Sequence, residues 1–390
     1  MKAKHLFWIL FLLNLLNYID RQVLYAVFPL LQQDLALTDL QLGTLASAFM
    51  LVYMCYAPLM GYLADRRNRP GLIAFSAIVW SGATALCGAT FNYASLLCAR
   101  ALVGVGEGGF TTLAQPFLAE HYPLKKHASV LAAFGLALPL GSASGYMLGG
   151  LVGQHWGWRV AFIVVSIPGV LLGILAGLRL KDQARTNQPL PRPGLADYIP
   201  LLKNRQFLRV CFAQAMSTFL MGGLAAWMPL YLHRYAALST AQAGTYFGAL
   251  VIGCGLLGTY AGGKLATFLL ARTERAYYQL IAVSFLAALP FCWLAVYTSC
   301  LWVLFGCLAA ALILLFIPTG AIAAALVATT EQRVRSMAFA LNIFLIHLLG
   351  DAISPTLIGW ASDMWTLKLA VLLASLALLP GAWAAWRAHG

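Results

Sequence analysis

A chain of 390 residues that is 62% hydrophobic and 9% charged lies far from the roughly 25% charged composition of soluble domains. That excludes a soluble enzyme or binding module and makes lipid the main solvent. The formal charge of +13 raises nucleic acid as a partner, so the location of the basic residues decides. With twelve spans threaded from a cytoplasmic N-terminus, Arg159, Arg234 and Lys368 fall outside and Arg21 and Arg100 within spans, leaving 20 of the 25 Lys and Arg residues on the cytoplasmic side. The positive-inside rule accounts for the charge, and no nucleic-acid partner is implied.

About 20 apolar residues cross a bilayer, and the chain offers such segments near 6–31, 39–63, 71–91, 93–119, 127–153, 158–180, 206–232, 240–270, 276–298, 300–327, 335–361 and 366–387, here spans 1 to 12. The opening Met1-Lys-Ala-Lys and its apolar run imitate a secretory signal. No small-x-small cleavage site follows, and Asn17-Tyr-Ile-Asp-Arg21 runs on into apolar sequence, so an uncleaved first span is expected. Span 1 carries Asn14, Asn17, Tyr18, Arg21 and Tyr25 on one helical face, with Asp20 beside them. An ionisable group near the bilayer centre costs about 2.5–3.5 kcal/mol, so it faces a protein or aqueous interior and usually serves a pathway.

After span 2 comes Gly61-Tyr-Leu-Ala-Asp-Arg-Arg-Asn-Arg69. Its acid sits where helix dipoles and guanidinium groups meet, and its arginines hold the loop at the cytoplasmic surface. Span 4 repeats the polar stripe with Arg100, Gly104, Glu107, Thr111 and Gln115. Arg100 and Glu107 stand two turns apart, about 10 Å, too far for a direct ion pair; Arg21 is the expected partner of Glu107. Gly104-Val-Gly-Glu-Gly-Gly109 matches a dinucleotide fingerprint in letters alone, without the strand it requires, and its glycines serve close helix approach. Span 5 places Gly141, Gly145, Gly149 and Gly153 at every fourth position after Pro139, a pattern for a sliding or hinged helix or for static tight packing.

The stretch 181–205, basic and marked by Pro189, Pro191 and Pro193, reads as an extended cytoplasmic linker. It divides a six-helix bundle at 1–180 from a second at 206–390. Gly-x-Leu-Ala recurs at Gly61 and Gly263 after spans 2 and 8, in keeping with duplication. Trp227-Met-Pro-Leu-Tyr231 in span 7 suits an aromatic anchor at the outer interface. Span 11 holds His347, Asp351 and Ser354 at helical spacing before Pro355, a pattern for a coupled pair in substrate or proton handling or for a histidine satisfied in packing. The eight cysteines are scattered singly, so no metal site or disulfide framework is expected.

The loop at 61–69 resembles the signature loop of the major facilitator superfamily, which implies that Asp65 and Arg69 latch the cytoplasmic ends of two halves. Four blocks are similar to the Spinster branch of that superfamily: Asn14-Leu-Leu-Asn-Tyr-Ile-Asp-Arg21, Arg100-Ala-Leu-Val-Gly-Val-Gly-Glu107, Gly255-Leu-Leu-Gly-Thr-Tyr-Ala-Gly-Gly263, and His347 through Asp363. The resemblance implies a twelve-helix, all-α membrane fold of two six-helix pseudo-repeats. It also implies cargo like the lysophospholipids or sphingosine phosphate that Spinster transporters carry. By the same resemblance Arg21 meets an anionic headgroup, Asp20 and Glu107 serve protonation and switching, and His347 lies near the headgroup.

The expectation is therefore a secondary transporter working by alternating access on the proton gradient, with no other cofactor. Tyr18, Asn17, Arg21, Arg100, Thr111 and His347 are its candidate substrate contacts. Asp20, Glu107 and Asp351 are candidates for proton coupling, and Asp65, Arg69, Gly141 and Gly145 for gating. Phe110, Phe117, Met221 and Phe344 are candidate surfaces for an acyl tail. The cargo is an amphipathic anion such as a lysolipid, the alternative being small organic anions or drugs. A non-transporting sensor or a membrane enzyme is the remaining class; no HExxH or GxSxG supports the latter. A monomer in a bacterial inner membrane, both termini cytoplasmic, completes the expectation.

Overall fold

The computed structural model describes residues 3–64, 66–123, 126–181, 198–273, 275–331 and 334–388, and all regular structure among them is helical. Among the described residues ten helices are long and apolar enough to cross a membrane. The two that complete the twelve are Ala3–Ala26 and Tyr93–Glu120, spans 1 and 4, which carry the intramembrane charges.

Several spans are broken where the sequence reading left them continuous. Span 1 ends at Ala26, and a separate helix, Phe28–Leu35, starts with Pro29 in its first turn, where a missing N–H costs nothing. Span 10 divides into Leu301–Phe316 and Thr319–Ala328 around Pro318. Span 11 consists of Arg335–Ile346, a π turn at His347–Asp351 with Gly350 in non-helical geometry, and Ser354–Met364. Of the expected linker, 182–197 lies outside the described residues, its three prolines included, while Tyr198–Lys203 is a short helix rather than extended chain.

By packing, the chain forms two units: Met1–Arg185 with Ala225–Ile252, and Thr186–Leu224 with Gly253–Gly390. The segment Ala225–Ile252, expected in the second bundle, thus packs with the first. In the first unit span 4 lies between span 2 (Asp39–Ala64) and span 3 (Arg69–Gly88), and span 1 packs along span 5 (Ser129–Trp156) and span 6 (Trp158–Arg179). The glycines of span 4 make this approach close. A β-carbon on Gly108 would stand 2.6 Å from the Tyr53 carbonyl oxygen, well inside van der Waals contact. In the second unit span 9 (Ala276–Tyr297) packs on spans 10 and 12.

A duplication shows at the starts of spans 2 and 8. Ala36 and Ala237 both take positive φ, 49° and 52°. Two residues later Thr38 and Ser239 each exchange bonds with a glutamine three positions on: Thr38 with Gln41 and Ser239 with Gln242, at 3.0 and 3.2 Å in both. Each is a capping box that satisfies two orphan backbone donors. The side chain four residues before each alanine, Gln32 or His233, bonds the carbonyl of Leu37 or Leu238. The shared string is Ala-Leu-Thr/Ser-x-x-Gln, a longer and better-positioned echo than Gly-x-Leu-Ala.

Candidate functional site

Arg21 Nε donates to Glu107 Oε2 at 2.6 Å, and the Glu107 side chain is fully buried. The guanidinium carbon lies 5.3, 5.2 and 4.8 Å from the ring centroids of Tyr18, Phe49 and Tyr53, so three aromatic faces from spans 1 and 2 surround one cation. Each such contact contributes about 0.5–2 kcal/mol, more as water is excluded. Helical spacing brings the box together: Tyr18 precedes Arg21 by three residues, and Phe49 and Tyr53 are four apart on span 2. Tight packing holds span 1 there, since a β-carbon on Gly141 would meet the Leu15 carbonyl oxygen at 2.6 Å. One on Gly145 would meet that of Ile19 at 2.6 Å.

Immediately before Arg21 on span 1 lies a second buried group. Asp20 accepts from Thr84 Oγ1 at 3.1 Å through Oδ2, while its Oδ1 bonds no described protein atom. Arg100 is entirely buried, stacked 5.1 Å from the Phe49 centroid, and none of its three guanidinium nitrogens has a hydrogen-bond partner among the described residues. Two carboxylates and two guanidinium groups therefore share the interior of the first unit, with one direct bond among the four. Burying such groups is costly unless they are paired and hydrogen-bonded, so the arrangement lends itself to exchanging partners and protons.

The remaining candidates fall differently. Asn17 is buried beside the pair without a hydrogen bond to a described group. Thr111 bonds back to the Glu107 carbonyl at 2.9 Å, within its own helix. Asp65 lies outside the described residues. Arg69 pairs with Glu120, at the end of span 4, at 2.7 Å, and stacks on Phe117. His347 Nδ1 and Asp351 Oδ1 are 2.8 Å apart in the π turn of span 11, in the second unit. Phe110 and Phe117 are fully buried, Phe110 against Trp80, so neither offers surface to a tail; Phe344 is exposed. Trp227 and Tyr231 are likewise buried, Trp227 against Phe28, rather than lying at an interface. Among the described residues no three His, Cys, Asp or Glu side chains cluster to hold a metal.

Sequence reasoning missed Phe49 and Tyr53, and the acid Asp39, which both terminal nitrogens of Arg234 grip at 2.9 and 2.8 Å. The aromatics look like any apolar span residue, and Asp39 reads as a loop acid. The available signal was Arg234, one of three basic residues on the side opposite the positive loops, where a cation without a topological role wants an acidic partner.

The sequence profile of the Major Facilitator Superfamily matches residues 10–355, which makes the chain a multi-pass membrane transporter and not an enzyme. It is 32% identical to the mouse sphingosine-1-phosphate transporter SPNS2 over 382 residues, covering 91% of this chain and 69% of that one. It is 27% identical to a probable sphingolipid transporter of Arabidopsis thaliana, spinster homolog 2, covering 92% and 81%. The crystal structure of a bacterial homologue of the human lysosomal transporter Spinster, inward-facing and unoccupied, superposes with a TM-score of 0.89 at 22% identity, covering 99% of this chain and 97% of that one. The chain belongs to the Spinster branch of the major facilitator superfamily.

Proposed function

We propose that this protein is a proton-coupled secondary transporter that works by alternating access and moves an amphipathic anion of the lysophospholipid or sphingolipid-phosphate type. The observation that carries the reading is the Arg21–Glu107 pair, one buried bond of 2.6 Å inside an aromatic box. A carboxylate that takes up a proton releases its guanidinium, and a substrate phosphate or carboxylate then takes the vacated place. Proton binding and cargo binding compete through one side chain, which is the elementary requirement for coupling them. Asp20 and Arg100 supply a second acid and cation within electrostatic reach, and His347 with Asp351 a second titratable pair.

The relatives named as sphingolipid transporters support the lipid class of cargo, and the asymmetric distribution of lysine and arginine supports cytoplasmic termini. The test is uptake of labelled lysophospholipid into proteoliposomes under an imposed pH gradient, comparing wild type with Arg21→Ala and Glu107→Gln. A response of uptake to the gradient that needs both residues is the expected result, with only gradient-independent flux left in Glu107→Gln. Folded protein that carries small organic anions and ignores acyl-chain length overturns the lipid assignment, since each methylene buried by a lipid carrier is worth about 0.8 kcal/mol.

A further inference from the structure

Pro229 lies inside the helix Arg205–Tyr235. Having no N–H, it leaves the carbonyl four residues earlier, on Ala225, without its helical donor. Tyr146 of span 5 supplies one: its hydroxyl donates to the Ala225 oxygen at 2.7 Å. The Tyr146 ring is buried, edge-on to Phe247 with centroids 5.0 Å apart.

This bond sits in a seam that holds Ala225–Ile252 to the rest of the first unit. A β-carbon on Gly150 would meet the Thr240 carbonyl oxygen at 2.7 Å, one on Gly248 that of Ala143 at 2.8 Å, and one on Gly244 would collide with that of Tyr146. These contacts lie beside the stripe of Gly141 and Gly145, which faces span 1, so span 5 uses two small-residue faces for two neighbours. Gln154 accepts from the Ala241 amide at 2.8 Å. At the end of the seam Arg234 grips Asp39 with both terminal nitrogens, at 2.9 and 2.8 Å. Gln32 donates to Asp39 at 2.7 Å and accepts from Arg234 at 3.0 Å.

We infer that Tyr146, Asp39, Gln32 and Arg234 are gate residues, and that Pro229 makes the gate reversible by keeping one main-chain acceptor free for a side chain to grasp and release. In an unbroken helix the Ala225 oxygen already has its donor, and a tyrosine hydroxyl adds little. With Pro229 present, the Tyr146 hydroxyl is the bond that closes the account. Parting residues 225–252 from spans 1, 2 and 5 then breaks side-chain bonds alone and leaves every helical ladder intact. The inference rests on the alternating-access reading and is independent of the cargo.

The test uses full-length protein with the exposed Cys55, Cys98 and Cys300 replaced by Ser. Asp39→Cys and Arg234→Cys are added as targets for a short thiol-cleavable cross-linker. Cross-linking should stop transport, and cleavage should restore it. In the same background and without cargo, Tyr146→Phe should slow cross-linking about five-fold, the worth of one ordinary hydrogen bond. Combined with Pro229→Ala, which returns the helical donor to Ala225, Tyr146→Phe should have no further effect. Thermal melting of each variant verifies that it is folded. Cross-linked protein that transports at the uncross-linked rate overturns the gate. A Tyr146→Phe effect that is absent, or equal with and without Pro229→Ala, overturns the role of the freed carbonyl. Because the cross-linking rate needs no cargo, failure of the lipid assignment leaves this result readable.

Discussion

Arg21 and Glu107 come from positions 86 apart in sequence and meet end-on, Nε to Oε2 at 2.6 Å, while the other carboxylate oxygen, Oε1, bonds no described group. Arginine often clasps a carboxylate with two parallel bonds; a single bond is easier to trade for another partner. The aromatic faces of Tyr18, Phe49 and Tyr53 then hold the cation in place during the exchange.

Removing one partner should be worse than removing both. Arg21→Ala leaves Glu107 buried and unpaired, with an expected loss of about 3–5 kcal/mol in thermal or denaturant unfolding. Arg21→Met combined with Glu107→Leu should recover most of that stability and none of the transport. If the double variant is as unstable as Arg21→Ala alone, the pair is not what the site rests on.

Glu107→Gln keeps the shape and removes the titration. Uptake should persist at a reduced rate but no longer respond to an imposed pH gradient, measured as initial rates at two gradients of opposite sign. A response of wild-type size would assign coupling to another group, with Asp20 the first to examine.

Glycine spacing gives a packing prediction with its own control. Gly145→Ala puts a methyl 2.6 Å from the Ile19 carbonyl oxygen and 2.8 Å from Gln22 Cβ, next to Asp20 and Arg21, and overpacking of this kind costs about 1–3 kcal/mol. Uptake should fall about ten-fold or more, the equivalent of 1.4 kcal/mol in the productive geometry. Gly135→Ala meets no atom within 4 Å and should be neutral or stabilising by about 0.5–1 kcal/mol.

Outside the spans, Asp34 accepts from Arg159 Nη1 at 2.6 Å and Trp158 Nε1 at 3.0 Å. These donors hold its carboxyl below the usual value of 3.8. A group whose folded value is depressed contributes stability above its unfolded value and loses it as pH falls through the folded one. The melting-temperature difference between wild type and Asp34→Asn should therefore be constant from neutral pH down to about pH 4 and shrink below it. A difference that grows on acidification contradicts the pairing.

The left-handed alanines offer a matched pair. Ala36→Gly and Ala237→Gly relieve a positive φ at equivalent places in the two repeats, and the relief of about 1–2 kcal/mol, offset by the entropy of glycine, should raise stability by a similar small amount at both. Unequal shifts in melting temperature would show that the repeats have diverged in local strain.

The spans were legible because bilayer thickness fixes the length of an apolar run, and Glu107 pointed to Arg21 because a buried acid needs a cation and Arg100 was too far along its own helix. Helix ends were less legible: Pro29 and Pro318 divide runs whose composition is unbroken, and the π turn at His347–Asp351 has no compositional mark. The capping boxes at Thr38 and Ser239 were readable in principle and are a better sign of duplication than the shared Gly-x-Leu-Ala. Burial of Arg100 without hydrogen bonds was not readable, since its helical pattern equally fits a cation facing a partner. Nor was the packing of Ala225–Ile252 with the first unit, which depends on small residues meeting from distant segments.

The distance in sequence between Arg21 and Glu107 also sets a clock during synthesis. The 86 residues separating them take a ribosome about 4–17 s at roughly 5–20 residues per second. Through that interval the cation of span 1 already exists while the acid that will neutralise it is unmade, and for the later part of it span 1 is outside the ribosome. Biogenesis therefore needs either a waiting place at the insertion machinery or late partition of span 1 into lipid, and pulse-labelled chains truncated before and after Glu107 should differ in how firmly span 1 resists extraction.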